Sequence, residues 1–266
     1  MVYLNREAKL LFLHPSKTGG MTVKHTLEGQ YPNENVARVP RMVLDALQGK
    51  LFQRLYFHYD AEAVAKWLPD ANEACFTFVS VRNPYDRAYS LHVYVCDQMD
   101  VYGVRIFWAI LFLVVAFIGV ALVLPLWAAI LLWAFLLIVI MYLCAKGNAA
   151  QLIFFGTLPF DQAVKHLSGL SVSHSSIFGT QTQHIRGLRI DRVLREETFE
   201  TQFKDLLEER GLDSRVITTN VNCIHRDEKR IDGIPHQYLR HYSPASIATI
   251  NSIYAEDFKQ FGYPML

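Results

Sequence analysis

Residues 9–14 (KLLFLH) form a short apolar run with no alternation, the pattern of a parallel strand buried on both faces. A glycine-bearing turn, residues 16–20, follows, and residues 21–29 have helical character. Helices are also predicted over 43–54 and 61–67, the second capped by Asp60, with a short strand over 55–58 between them. Residues 75–81 make the second clear apolar strand. Arg82-Asn83-Pro84 ends it, and Pro84 suits the first turn of a helix running towards residue 101.

Further on, residues 160–168 read as helix and 169–187, rich in Ser, Thr, Gln and Gly, as a long polar surface loop. A short strand is predicted over 191–195. Thr198 caps a helix over 199–210 that stops at Gly211. After a polar, irregular stretch over 220–235, Ser243-Pro244 opens a last helix through Phe258. Strands alternating with helices predict an α/β fold built on a parallel sheet covered on both faces. Ligands of such sheets bind at the carboxyl ends of strands, where residues 15–20 and 82–84 both fall.

One block breaks this pattern. Arg105 and Lys146 bracket about 40 residues without a charge, divided by Pro125 into two apolar runs. Each run of about 19 residues would span ~28 Å as a helix, close to the thickness of a bilayer core. The block, residues 104–146, therefore reads as a transmembrane helical hairpin with Pro125 in or near its turn. It interrupts one discontinuous domain made of residues 1–103 and 147–266. One long, kinked helix or a re-entrant hairpin is a competing reading, and a subunit interface of a homo-oligomer, which would bury the same surface, is another. Arg105 and Lys146 flank the hairpin on the catalytic side, which by the positive-inside tendency puts that domain in the cytoplasm.

Composition adds little beyond this. The 266 residues carry 26 basic and 25 acidic side chains, a formal charge of +1, and no overall basic field that would argue for nucleic acid. The four cysteines, at 75, 96, 144 and 223, have no disulfide-framework spacing, so a reducing compartment is expected. The apolar run before His14 is too short for a signal-peptide core. Pairs such as Cys223 with His225 lack a ligand quartet, and no metal is expected.

The chemistry concentrates in two loops. In the first, Lys17-Thr18-Gly19-Gly20 sits between a buried strand and a helix. Glycines there let amide N–H groups turn towards one point, and the helix adds its unpaired amides and positive dipole end. Lys17 adds a mobile charge. The product is a site for phosphate or sulfate, although an ordinary strand–helix turn with a surface lysine has the same letters. It is not a Walker A loop, whose lysine follows the second glycine. In the second loop, Arg82 at a strand end and Ser90 two helical turns later can share one phosphate. A surface pair with Asp86 is the plainer alternative.

Taken together, KTGG after the first strand and RNPYDRAYS after a later one resemble the sulfotransferases that use 3′-phosphoadenosine 5′-phosphosulfate (PAPS), in their carbohydrate-type branch. That branch typically carries PKTGGTS and RNPxxRxxS. The stretches DRVLREETFETQFKDLLEERG and YSPASIATINSIYAEDFKQFGY resemble its later strand–helix unit and terminal helix. Two departures stand out: Pro15-Ser16 precedes Lys17 where an aliphatic residue and proline are usual, and Met21 replaces a common threonine. The second removes one hydroxyl contact, which Thr22 can retain.

The resemblance implies a P-loop-like sheet flanked by helices, with PAPS as co-substrate. The 5′-phosphosulfate would lie on Lys17, Thr18, Gly19, Gly20, Met21 and Thr22, with Lys17 also catalytic at the bridging oxygen of the leaving group. Arg82 and Ser90 would hold the 3′-phosphate. His58, at a predicted strand end between the two loops, is the candidate base for the acceptor hydroxyl. Glu28 and Asp60 are further candidates, and His14 would instead pack under the cradle. A membrane-borne enzyme of this kind points to a saccharide or glycolipid acceptor, with a soluble acceptor and a merely localised enzyme as the alternative. A phosphotransferase using the same cradle, or a non-catalytic membrane scaffold with the same fold, are the alternatives.

Overall fold

The structure is a computed structural model that describes residues 2–31, 64, 70–97, 155–167, 178–215 and 237–266, with positions 125, 127, 128, 130, 133 and 134 between them. The predicted elements over 43–58 and 61–67, with His58 and Asp60, lie outside the described residues, Val64 excepted. So does nearly all of the 104–146 block. Among the described residues, no helix is long and apolar enough to cross a membrane.

Four strands form one sheet in the spatial order β1 (Val2–Asn5), β2 (Leu10–Leu13), β3 (Phe76–Val81) and β4 (Arg192–Arg195). β2 and β3 pair in parallel, as do β3 and β4, with Phe12 opposite Phe78 and Val79 opposite Val193. The sheet is nevertheless mixed, not parallel throughout. β1 is an unanticipated strand, antiparallel to β2 and matching Val2 with Leu13 through Asn5 with Leu10. A tight turn joins them: the Ala8 amide donates to Asn5 Oδ1 at 2.6 Å, and Lys9 takes a left-handed φ of 51°.

Side chains on successive strand residues point to opposite faces, and each face has its own core. On one, Leu10, Phe12, Phe78 and Leu194 pack against Val23 and Leu27 of α1 (Gly20–Glu28). The same layer takes in Phe203, Leu206 and Leu207 of a C-terminal helix, Phe199–Glu209. On the other face, Leu11, Leu13, Val79 and Val81 meet Tyr85, Ala88 and Leu91 of the helix over 84–97. That layer is completed by Phe160, Val164 and Leu167, and by Ile250, Tyr254 and Phe258. Each such fully buried apolar side chain contributes about 1.5–3 kcal/mol relative to exposure. Helices thus cover both faces, as the alternation of elements predicts.

The short helix Ala71–Ala74, labelled α2, leads into β3; the helix over 84–97 is α3, Phe160–Ala163 is α4 and Phe199–Glu209 is α5. Ser243 begins α6 (Pro244–Ile253) through a capping box with Ser246, with proline at the first turn. The helix predicted to run unbroken to Phe258 is interrupted at Tyr254, after which α7 (Ala255–Phe261) begins. Thr198 stands at the start of α5 but makes no side-chain cap bond. Gly211, just past its end, has the expected left-handed φ, 67°.

The expected polar surface loop requires correction. Its described part runs from residue 178 to 187 and is largely inside: Phe178, Thr180, Gln181, Thr182, His184 and Ile185 are buried, and only Arg186 and Gly187 at its end are exposed. Gln181 and the Thr182 amide find partners far away in the chain, while Thr180 and His184 bond within the segment. The buried carboxylate of Asp257 alone accepts the amides of Gln181, at 2.9 Å, and Thr182, at 2.8 Å.

Candidate functional site

β2 and β3 lie side by side and parallel, so their carboxyl ends open on the same rim of the sheet. Residues 14–20 leave β2 there. Lys17 and Gly19 both take left-handed backbone, with φ of 65° and 79°, which turns the loop sharply into α1. Glycine takes this conformation without strain; a lysine does not. His14 is buried under the turn, where its Nε2 accepts the Gly20 amide at 3.0 Å. Burial, then nearby positive charge including Lys17 and Arg87, holds the His14 pKa well below its ordinary value. The ring is therefore neutral, as an acceptor at Nε2 must be. This is the packing role expected of it.

Not every amide of the loop faces outward. The Gly20 N–H is taken by His14, and that of Thr22 donates to the Gly19 carbonyl at 3.1 Å. The Thr18 hydroxyl also turns inward. It donates to the Pro15 carbonyl at 2.9 Å, so its 2.9 Å contact with Ser80 Oγ has the serine as donor. Thr18 is fully buried. Its side chain ties the loop to β3, leaving only backbone for a ligand.

The Arg82 loop closes on this turn. Arg82 Nη1 lies 3.3 Å from Ser90 Oγ and 3.5 Å from the carbonyl of Lys17. The two sequence motifs, 65 residues apart, therefore share one rim. Lys17 Nζ stands over the Tyr94 ring of α3, 4.6 Å from its centroid. Glu28 is not part of this arrangement. It lies at the far end of α1, about 12 Å along the helix axis from Gly20, paired with Lys24.

Two features escaped the sequence reading. The first is Arg87, which is 1% exposed and sends Nε to the Ser16 carbonyl and Nη2 to the Gly179 carbonyl, both at 2.9 Å. It stitches the first loop to α3 and to the buried 178–185 segment. Its place in the RNPYDRAYS motif was the available signal.

The second is a set of carboxylates around Arg82. Asp86 accepts from Arg82 Nε at 2.7 Å, and Glu196 stands 3.8 Å from the same nitrogen. The Arg82–Asp86 pair does exist, but it is mostly enclosed and not a surface pair. Burial works against the charged guanidinium; the carboxylates of Asp86 and Glu196 outweigh it and keep the Arg82 pKa above its ordinary value. Glu197 accepts the Asn83 amide at 2.8 Å. Both glutamates follow β4, a third parallel strand, whose carboxyl end opens on the same rim. The rim thus combines three cations, Lys17, Arg82 and Arg87, with three carboxylates.

Chemically, this rim can hold an anion between a lysine-bearing turn at a helix N-terminus and an arginine–serine pair. Among the described residues, no cluster of His, Cys, Asp and Glu is arranged to hold a metal ion. Cys75 is buried, and Cys96 Sγ lies 3.7 Å from His92 Nε2. Compared with known families, curated proteins and solved structures, the chain matches no family, no individual protein and no structure.

Proposed function

We propose that the chain is a PAPS-dependent sulfotransferase acting on a hydroxyl of a saccharide or glycolipid. The observation that carries this reading is the convergence of the two motifs: Arg82 Nη1 reaches both Ser90 Oγ and the Lys17 carbonyl. A nucleotide phosphorylated at both ends requires two separate anion contacts on one rim. PAPS supplies the activated sulfuryl group. Lys17 and the amides of Thr18, Gly19 and Met21 hold the 5′ end, and Arg82 and Ser90 hold the 3′-phosphate. The acceptor oxygen attacks sulfur as the bond from sulfur to the 5′-phosphate oxygen breaks. Lys17 stabilises the negative charge that grows on that leaving oxygen. The acceptor proton goes to a base, for which His58 is the candidate.

The hairpin over 104–146 anchors this domain to a bilayer with the site on the cytoplasmic side. That geometry favours an acceptor that is itself membrane-associated.

One observation favours a second reading, a non-catalytic scaffold with this fold. Asp86 and Glu196 already neutralise Arg82, so a phosphate has to compete with them. Calorimetry separates the two readings. The sulfotransferase predicts that adenosine 3′,5′-bisphosphate binds the full chain at least tenfold more tightly than adenosine 5′-monophosphate, and that labelled sulfate moves from PAPS to lipid or saccharide extracts. Equal affinity for the two nucleotides rejects it.

A further inference from the structure

Arg82 is held by its backbone as well as by its side chain. The Gln181 carboxamide lies against residue 82 and pairs with both of its main-chain groups. Gln181 Oε1 accepts the Arg82 amide at 2.8 Å, and Gln181 Nε2 donates to the Arg82 carbonyl at 2.9 Å. A glutamine has just the donor and acceptor needed to act as one more strand residue beyond the end of β3. Gln181 is fully buried, and so is the group that fixes it. Asp257 of α7 accepts the Gln181 backbone amide at 2.9 Å and the Thr182 amide at 2.8 Å, and its Oδ2 lies 3.4 Å from Gln181 Nε2. The chain of contacts runs from a buried carboxylate, through an amide, to the backbone of the arginine proposed to take the 3′-phosphate.

The geometry points to Gln181 as a positioning residue for the anion site, setting where Arg82 leaves the sheet and so where its guanidinium meets Ser90. Arg82 begins the two-residue segment between β3 and α3, a place where no strand partner otherwise fixes the backbone. Without the carboxamide, the Arg82 amide and carbonyl lose their partners and the residue can shift. The distance from Nη1 to Ser90 Oγ is already 3.3 Å, so a small shift removes shared contact with one phosphate oxygen. The 5′ end of the nucleotide is held by the turn at Lys17, which Arg82 touches only through the Lys17 carbonyl, at 3.5 Å, so it depends on this link less than the 3′ end does. Gln181 therefore acts on discrimination between bisphosphate and monophosphate, not on nucleotide affinity in general. This inference rests on the sulfotransferase reading of the site.

The test is Gln181→Met in the full chain, which keeps the length of the side chain and removes both hydrogen bonds. Calorimetry with adenosine 3′,5′-bisphosphate and adenosine 5′-monophosphate gives the readout. The expected result is bisphosphate binding about tenfold weaker with monophosphate binding unchanged, and faster hydrogen exchange at the Arg82 amide. Tyr254→Phe, which removes a buried bond to the Phe178 carbonyl in the same region, controls for general loosening. It lowers the melting temperature and leaves the ratio of affinities alone. Should Gln181→Met not fold, Asp257→Asn preserves volume while disturbing the grip on Gln181, and a fall of about threefold in the same ratio is expected. A wild-type ratio in the folded variant overturns the positioning role alone. A wild-type chain that binds both nucleotides equally overturns the reading of the site and this inference with it.

Discussion

His14 and Gly20 fit so closely that the glycine has no room to gain a side chain. The imidazole Nε2 accepts the Gly20 amide at 3.0 Å, and a Cβ built on Gly20 would meet the ring at 2.1 Å. Gly20 opens α1, where alanine is ordinarily better than glycine by about 1 kcal/mol. Here the sign reverses. Gly20→Ala must push a buried ring aside and disturb its hydrogen bond, which costs about 2–3 kcal/mol. Urea denaturation of the two proteins checks it, and a more stable Gly20→Ala would contradict the packing described.

The same histidine makes stability depend on pH. His14 and His184 are both buried, and burial is the first cause of each lowered pKa; for His184 the value falls to about 3 from 6.5. His184 Nδ1 donates to the Thr180 carbonyl at 2.8 Å, which fixes its neutral tautomer. Below pH 6.5 the unfolded chain binds protons that these folded rings refuse. Stability is therefore complete above that pH and declines as pH falls towards the folded values. Between pH 6.5 and 5, where few carboxylates titrate, His184 should account for a loss of about 1–2 kcal/mol, and His14 adds to it in the same direction. His92, whose pKa burial also lowers, acts in the same direction. Thermal melts across this range check the decline. His184→Asn, which can still donate near the Nδ1 position, should flatten part of it, and melting that does not change from pH 7 to 5 would rule the account out.

Arg87 is a buried cation that donates to two carbonyls, those of Ser16 and Gly179, with the Tyr254 ring 5.6 Å away. Removing it strands both carbonyls in the interior. Arg87→Met is expected to lose about 3 kcal/mol, and Arg87→Lys nearly as much, because one ammonium cannot span two acceptors held by a planar fork. Arg186→Ala serves as the contrast. That residue's ion pair with Glu256 is well exposed on both sides, and its loss should be barely measurable. Equal effects of the two substitutions would mean that Arg87 does not tie the loops together.

Where the sequence could be read, the information was local. The apolar run of β2, the six buried or half-buried residues of β3, and the Ser243-Pro244 start of α6 each announce themselves within a few positions. β1 did not, because Val2–Asn5 offers only four residues, one of them polar; it is a strand only by virtue of its register against β2. The burial of Gln181 and Thr182 was illegible for the same kind of reason. Their partners, Arg82 and Asp257, lie 75 to 99 residues away, and composition alone reads such residues as solvated. The meeting of Lys17 with Arg82 was legible, since parallel strands bring their carboxyl ends to one rim. The carboxylates that accompany it follow from the same rule applied to β4, a step the motif pattern does not prompt.

Lys17 allows chemistry and stability to be separated. Its φ of 65° is strained for any residue with a Cβ, so Lys17→Ala keeps the strain and loses the contact with Tyr94. Lys17→Gly loses the same contact and relieves the strain, worth about 1–2 kcal/mol against a smaller entropic cost in the unfolded chain. The glycine variant should therefore be more stable than the alanine variant by about 1 kcal/mol by denaturant titration. On the proposed sulfuryl transfer, the two should nonetheless be equally inactive, at least a hundredfold below wild type, because each lacks the cation at the leaving oxygen. Transfer recovered by glycine but not alanine would mean that Lys17 matters for the shape of the turn and not for its charge. Full transfer in both would take the lysine out of the chemistry.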